Sequence, residues 1–141
     1  MPTVPITDSA QKIDLTPRFV GSSTVQNSPI AAAAETIICT VNLTDFASTA
    51  MLSGVELEGW AAFTVGTNGT AATLKVHQTN AAGSTVVSSG ALTVTAANLV
   101  APMVLGFDAT PGVGTYVLTL QITGGTANTT ISAVRLSARV F

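Results

Sequence analysis

Residues 55–65 read VELEGWAAFTV, and their strict alternation decides the fold class. Val55, Leu57, Gly59, Ala61, Phe63 and Val65 fall on one side of an extended chain, with Glu56, Glu58, Trp60, Ala62 and Thr64 on the other. Successive side chains of a strand point to opposite faces, so this period of two specifies one core face and one outward face. Gly66-Thr-Asn-Gly69 supplies a hairpin turn. Residues 71–79 (AATLKVHQT) then return with Ala72, Leu74 and Val76 inward and Thr73, Lys75 and His77 outward.

The same signal recurs on both sides of this hairpin. Residues 35–43 (ETIICTVNL) are rich in β-branched side chains, and residues 84–88 and 91–95 make two short strands split by Gly90. Residues 102–107 (PMVLGF) form an apolar run that ends in the turn 108–114. In residues 115–123 (TYVLTLQIT), Tyr116, Leu118, Leu120 and Ile122 share a face. The final strand sets Val134, Leu136, Ala138 and Val140 against Arg135, Ser137, Arg139 and Phe141. About seven or eight strands at roughly 8–15-residue spacing, with no convincing helix, predict an all-β antiparallel sandwich or barrel.

Residues 1–34 differ. Pro2, Pro5, Pro17 and Pro29 fall here, and proline disfavours helix and interior strand, so the segment is expected to run extended. Val4, Ile6, Ile13, Leu15 and Phe19 punctuate it without a sustained period. Spaced apolar anchors on an extended segment read as a docking arm. The expected organisation is an N-terminal arm over 1–34 and a sandwich over 35–141.

Composition bears on function. The 141 residues are 47% hydrophobic and only 9% charged, where about 25% charged is usual, and mean hydropathy is +0.53. Net charge and interspersed charges normally oppose association, so a surface of Thr, Ser, Asn and Gln is expected to be covered by other copies. The net charge is −2, and the five basic residues, Lys12, Arg18, Lys75, Arg135 and Arg139, are scattered. Nucleic-acid binding needs clustered cations, so it is not expected. Cys39 is the single cysteine and reads as a buried hydrophobe in a strand. Neither a signal peptide nor an apolar run of membrane-spanning length is recognised, so no membrane partner is expected. Asn-X-Thr triplets at Asn42, Asn68 and Asn128 arise easily in a Thr-rich chain and carry no weight.

Candidates for chemistry are few. His77 is the only histidine, which excludes multi-histidine zinc sites, and its alternation predicts a solvated position. Glu56 and Glu58 share a strand face and could mimic a paired-carboxylate site, but no further acid clusters with them in sequence. A solvent-facing pair, or an intersubunit partner for Arg135 or Arg139, is the expectation. No nucleophile elbow, P-loop, dinucleotide fingerprint or cysteine-pair spacing is present. No catalytic residue, metal or cofactor is expected, and the chain is read as a non-enzyme. Trp60 and Phe141 lie opposite the aliphatic stripes, where aromatic residues mark interfaces. With Val4, Ile6, Ile13, Leu15, Phe19, Arg135 and Arg139 they form the candidate interface set.

Three stretches carry a family resemblance. They are residues 59–66 (GWAAFTVG), residues 111–120 (PGVGTYVLTL) and residues 130–139 (TISAVRLSAR). Residues 55–141 resemble the jelly-roll modules of virion structural proteins of tailed bacteriophages. The resemblance implies an antiparallel jelly-roll β-sandwich, a homotrimer and a place on the capsid surface as a head decoration (cement) protein. Its partners would be copies of itself and the major capsid protein or another virion protein, with an N-terminal arm reaching a neighbour. The alternative it leaves open is a fibre, collar or baseplate tip that binds a host receptor or glycan.

Overall fold

The structure, a computed structural model, describes residues 18–31, 33–43, 54–66, 70–111, 114–124 and 129–141. Their strands are β1 (Arg18–Ser22), β2 (Glu35–Asn42), β3 (Val55–Thr64), β4 (Thr70–Gln78), β5 (Thr85–Ser88), β6 (Leu92–Val94), β7 (Met103–Asp108), β8 (Thr115–Thr123) and β9 (Thr130–Val140). Pairing is antiparallel and nested: β1 with β9, β2 with β8, β3 with β7, and β4 with both β5 and β6. A chain paired in this way is one long hairpin. Rolling it up sends alternate pairs to opposite layers, giving one sheet ordered β1-β9-β3-β7 and a second ordered β2-β8-β4-β5, with β6 also on β4. This is a jelly-roll sandwich. The split read at Gly90 is real, since β5 and β6 lie along β4 as two short pieces separated by a glycine at φ +72°.

The alternation read from sequence becomes the core. Leu57, Phe63 and Leu136 of the first sheet meet Leu74, Leu118, Leu120 and Ile122 of the second, all essentially inaccessible to solvent. Cys39 is a free, buried thiol in this cluster, as its neighbours implied. Tyr116 points inward with its stripe and is fully buried. Interior packing has little spare volume, and Gly59 shows it. A Cβ at Gly59 would lie 2.7 Å from Leu118 Cδ1 and 3.4 Å from Val104 Cγ2.

Part of the stretch expected as an arm belongs to the sandwich. Arg18–Ser22 is the edge strand β1, registered on β9 from Arg18↔Val140 to Ser22↔Leu136. Further along, Gln26 N donates to Ile38 O and Asn27 Nδ2 to Ile37 O, each at 2.9 Å. Ile30 is 2% exposed and exchanges two backbone hydrogen bonds with Thr129 at 2.9 Å. Unpaired backbone at a sheet edge is costly when buried, and the nested topology offers this segment the free side of β9. Among the described residues the sandwich therefore begins at Arg18, not at residue 35. Val4, Ile6, Ile13 and Leu15 lie outside the described residues.

The close approach at Gly59 gives a test of the packing. Gly59→Ala should destabilise the fold by about 1–3 kcal/mol through overpacking. In a Leu118→Ala background the added methyl enters vacated space, so the two changes should be non-additive by about 1 kcal/mol or more. Urea midpoints of the four proteins measure this, and strict additivity would refute the steric account.

Candidate interaction surface

The register of the first sheet sets its outward side chains in rows. One row runs Phe19 on β1, Arg139 on β9, Glu56 on β3 and Phe107 on β7. The next is Gly21, Ser137, Glu58 and Leu105, and a third holds Arg135, Trp60 and Met103. Inward positions of these strands are the buried aliphatics, so this is the face turned away from the core. It is strongly apolar. Phe19 is 72% exposed, Met103 63%, Leu105 62%, Phe107 56% and Phe141 43%.

Ring geometry organises one end of the face. The Arg139 guanidinium lies 5.4 Å from the Phe19 ring centroid and 5.0 Å from that of Phe141. Phe141 meets Phe107 edge to face at 6.4 Å. Arg139 Nε is buried without a hydrogen-bond partner among the described residues, so stacking on ring faces is its resolved stabilisation. Gly54 makes room for Phe107, because a Cβ there would fall 2.2 Å from Cζ of that ring.

Five of the residues singled out from sequence, Phe19, Trp60, Arg135, Arg139 and Phe141, therefore share this face of one sheet. Glu56 stands directly across from Arg139 within the same chain, and Glu58 is exposed beside it. The sequence reading missed Met103, Leu105 and Phe107, since an unbroken apolar run assigns no face. Gly106 and Asp108 held the available signal: both share the inward face of Val104, which turns the bulky residues outward.

Two polar clusters tie strands together elsewhere. Asp108 ends β7 pointing inward and accepts hydrogen bonds from Tyr116 Oη at 2.7 Å, Thr110 N at 2.9 Å and Gln78 Nε2. It thereby joins the first sheet to β4 and β8 of the second. On the outer side of the second sheet, Glu35 receives Thr119 Oγ1 at 2.8 Å, His77 Nε2 at 2.5 Å and Lys75 Nζ at 3.3 Å.

His77 corrects an expectation. It is 4% exposed rather than solvated, because the turn after β4 folds back and brings Gly83 O within 3.0 Å of its Nδ1. The reason is long-range, as Glu35 lies 42 residues away in sequence. Thr85 Oγ1, His77 and Glu35 have the residue types of a nucleophile–base–acid set, with Thr85 Oγ1 3.2 Å from Nδ1. Nδ1, however, also meets the Gly83 carbonyl at 3.0 Å, so the ring is tied to the turn after β4 as well as to Glu35. The cluster is a latch between strands. Among the described residues no group of three or more His, Cys, Asp or Glu is placed to hold a metal ion.

Topology and surface together define a jelly-roll domain with one apolar outer face. Among solved structures, the VP2 subviral particle of infectious bursal disease virus matches with a TM-score of 0.61, at 12% identity over 99% of this chain and 37% of that one. A structure of that virus's particle gives a TM-score of 0.66, at 9% identity over 99% of this chain and 35% of that one. At such identities the likeness is one of fold, and this chain spans little more than a third of the VP2 chains. No family model and no curated protein sequence matches the chain.

The two carboxyl clusters predict an acid-sensitive fold. Burial alone would raise both carboxyls. For Glu35 the hydrogen bonds from Thr119, His77 and Lys75 outweigh it, and for Asp108 those from Gln78, Tyr116 and Thr110 do, so both sit below their ordinary values. Burial, then the Asp108 contact, pushes the Tyr116 phenol up. A carboxyl lowered by folding contributes stability that is complete above its unfolded value of about 4 and is lost as pH falls through the folded value. Urea midpoints taken downward from neutral pH should fall on the acid side, and fall less steeply in Asp108→Asn and in Glu35→Gln. Unchanged acid limbs in both variants would refute the assignment.

Proposed function

We propose that this protein is a structural component of a virion, a decoration (cement) protein on the capsid surface of a bacteriophage that works as a homotrimer. The observation that carries this reading is the apolar outward face of the first sheet on a chain only 9% charged. Isolated domains rarely expose such a face, and the arginine and aromatic residues it carries suit an interface. The fold adds support, since jelly rolls of this kind build the viral particles to which the chain is similar. The mechanism is mass action: a subunit that binds assembled shell and not dispersed capsid protein adds its binding free energy to the shell.

The arm is part of the proposal, in shortened form. Residues 1–17, with Val4, Ile6, Ile13 and Leu15, precede β1 at the edge of the same sheet and would lace onto a neighbouring subunit. A glycan-binding tip is less well served. Trp60 is only half-exposed, between its cross-strand neighbours Arg135 and Met103, and offers no open platform for a sugar ring.

Removal of residues 1–17 should leave a cooperatively folding sandwich that no longer saturates phage heads or raises their melting temperature. Removal of 1–34 should instead unfold the sandwich, because it deletes β1 and the Ile30 bridge. Co-sedimentation with isolated heads and calorimetry decide the matter. Full-length protein that fails to bind heads would overturn the decoration reading.

A further inference from the structure

We propose that the outer face of the first sheet binds the same face of a second copy, related by a twofold axis that lies in the interface parallel to the strands between β9 and β3. The inference rests on the structural reading only in treating this face as an assembly surface.

Charge pattern and register select this arrangement. The twofold operation sets β3 over the partner's β9 and β7 over the partner's β1, while keeping each row at its own height. Because Phe19, Arg139, Glu56 and Phe107 form one row, Glu56 then faces the partner's Arg139, and Phe107 faces the partner's Phe19. In the third row Trp60 faces the partner's Arg135, so that no like charge is set against that cation. Every such contact occurs twice, as an isologous interface requires. A twofold axis across the strands would instead stack Arg139 on the partner's Arg135 and Glu58 on the partner's Glu58. Like charges in desolvated contact disfavour that alternative.

Size is consistent with a stable pair. Five large side chains exposed by 43–72% present on the order of 500 Å² of apolar surface, taking roughly 150–250 Å² for a large side chain. Trp60, Arg135 and the two glutamates extend this toward the roughly 800 Å² per partner of a standard interface. Two sheets stacked face to face about 10 Å apart, within about 30° of alignment, is the ordinary geometry of sheet packing.

The test is solution mass of the full chain by sedimentation and native mass spectrometry, with circular dichroism to establish folding. The wild type should assemble in even numbers, two chains or, if trimers also form, six. Phe19→Asp, at the most exposed of these aromatics, should weaken pairing about tenfold or more while leaving the fold intact. Glu56→Arg and Arg139→Glu should each fail to self-pair. An equal mixture of those two should form a one-to-one heterodimer, since arginine at 56 then faces glutamate at 139 and native Arg139 faces native Glu56.

A folded Phe19→Asp protein with unchanged mass overturns the proposal, and so do charge-reversed proteins that stay apart on mixing. A wild type of one or three chains also overturns it, whether residues 1–17 or another virion protein covers the face instead. These outcomes separate from the decoration reading. Three chains that bind heads would leave that reading standing without the pair, and an even-numbered assembly that ignores heads would leave the pair standing without it.

Discussion

The register between β3 and β9 is the constraint on which the rest of the molecule depends. Ten residue pairs run from Val55↔Val140 to Thr64↔Thr130, interrupted by one irregularity between Ala62 and Phe63. Side chains alternate with a period of two, so a slip of one residue would exchange the faces of a strand. Leu136, Ala138 and Val140 would turn to solvent, while Arg135 and Arg139 would be driven into an apolar interior. The penalty for burying unpaired guanidinium groups fixes the register as firmly as the gain from burying the aliphatics. Core and outward face are two consequences of one ladder.

Scarcity of charge makes the placement of each ionisable group consequential. Of the seven acidic residues, Asp108 and Glu35 hold strands together through hydrogen bonds across the sandwich and along its outer side. Glu56 sits beside Arg139 in the first sheet. What solvates the rest of the surface is Thr, Ser and Asn, which hydrate without repelling a neighbour. A chain of this kind has little electrostatic barrier to approach by its own copies.

Much of this was legible in the sequence, for a physical reason. Strands buried on one face advertise themselves by alternation, so the stripes of β3, β8 and β9 and the outward positions of Trp60, Arg135, Arg139 and Phe141 could be read locally. The split at Gly90 and the burial of Cys39 were equally local. Other features depended on partners distant in sequence. Arg18–Ser22 is too short to declare itself a strand and ends in Gly21 and Ser22, and β9 supplies its ladder from the far end of the chain. His77 alternates as an outward residue, yet Glu35, Thr85 and the returning turn enclose it. In β7 the apolar run concealed its own alternation, and the small Gly106 beside the buried acid Asp108 was the only cue to its orientation.

That concealed alternation bears most directly on assembly. β7 is an edge of its sheet and carries Met103, Leu105 and Phe107 outward, with no charged residue before Asp108. Natural sheets usually blunt such an edge with lysine, proline or a bulge, because it invites uncontrolled pairing. Here Asp108 points inward to Tyr116 and leaves the edge uncharged. The protective charges sit instead on β3 and β9, in the middle of the face. Arg139 is held against Phe19 and Phe141, and Glu56 stands alongside it. Charges in the centre of an apolar face do little to prevent association, but they make association selective by penalising every arrangement that sets like on like. The face is thus arranged to favour one mode of contact over many rather than to forbid contact.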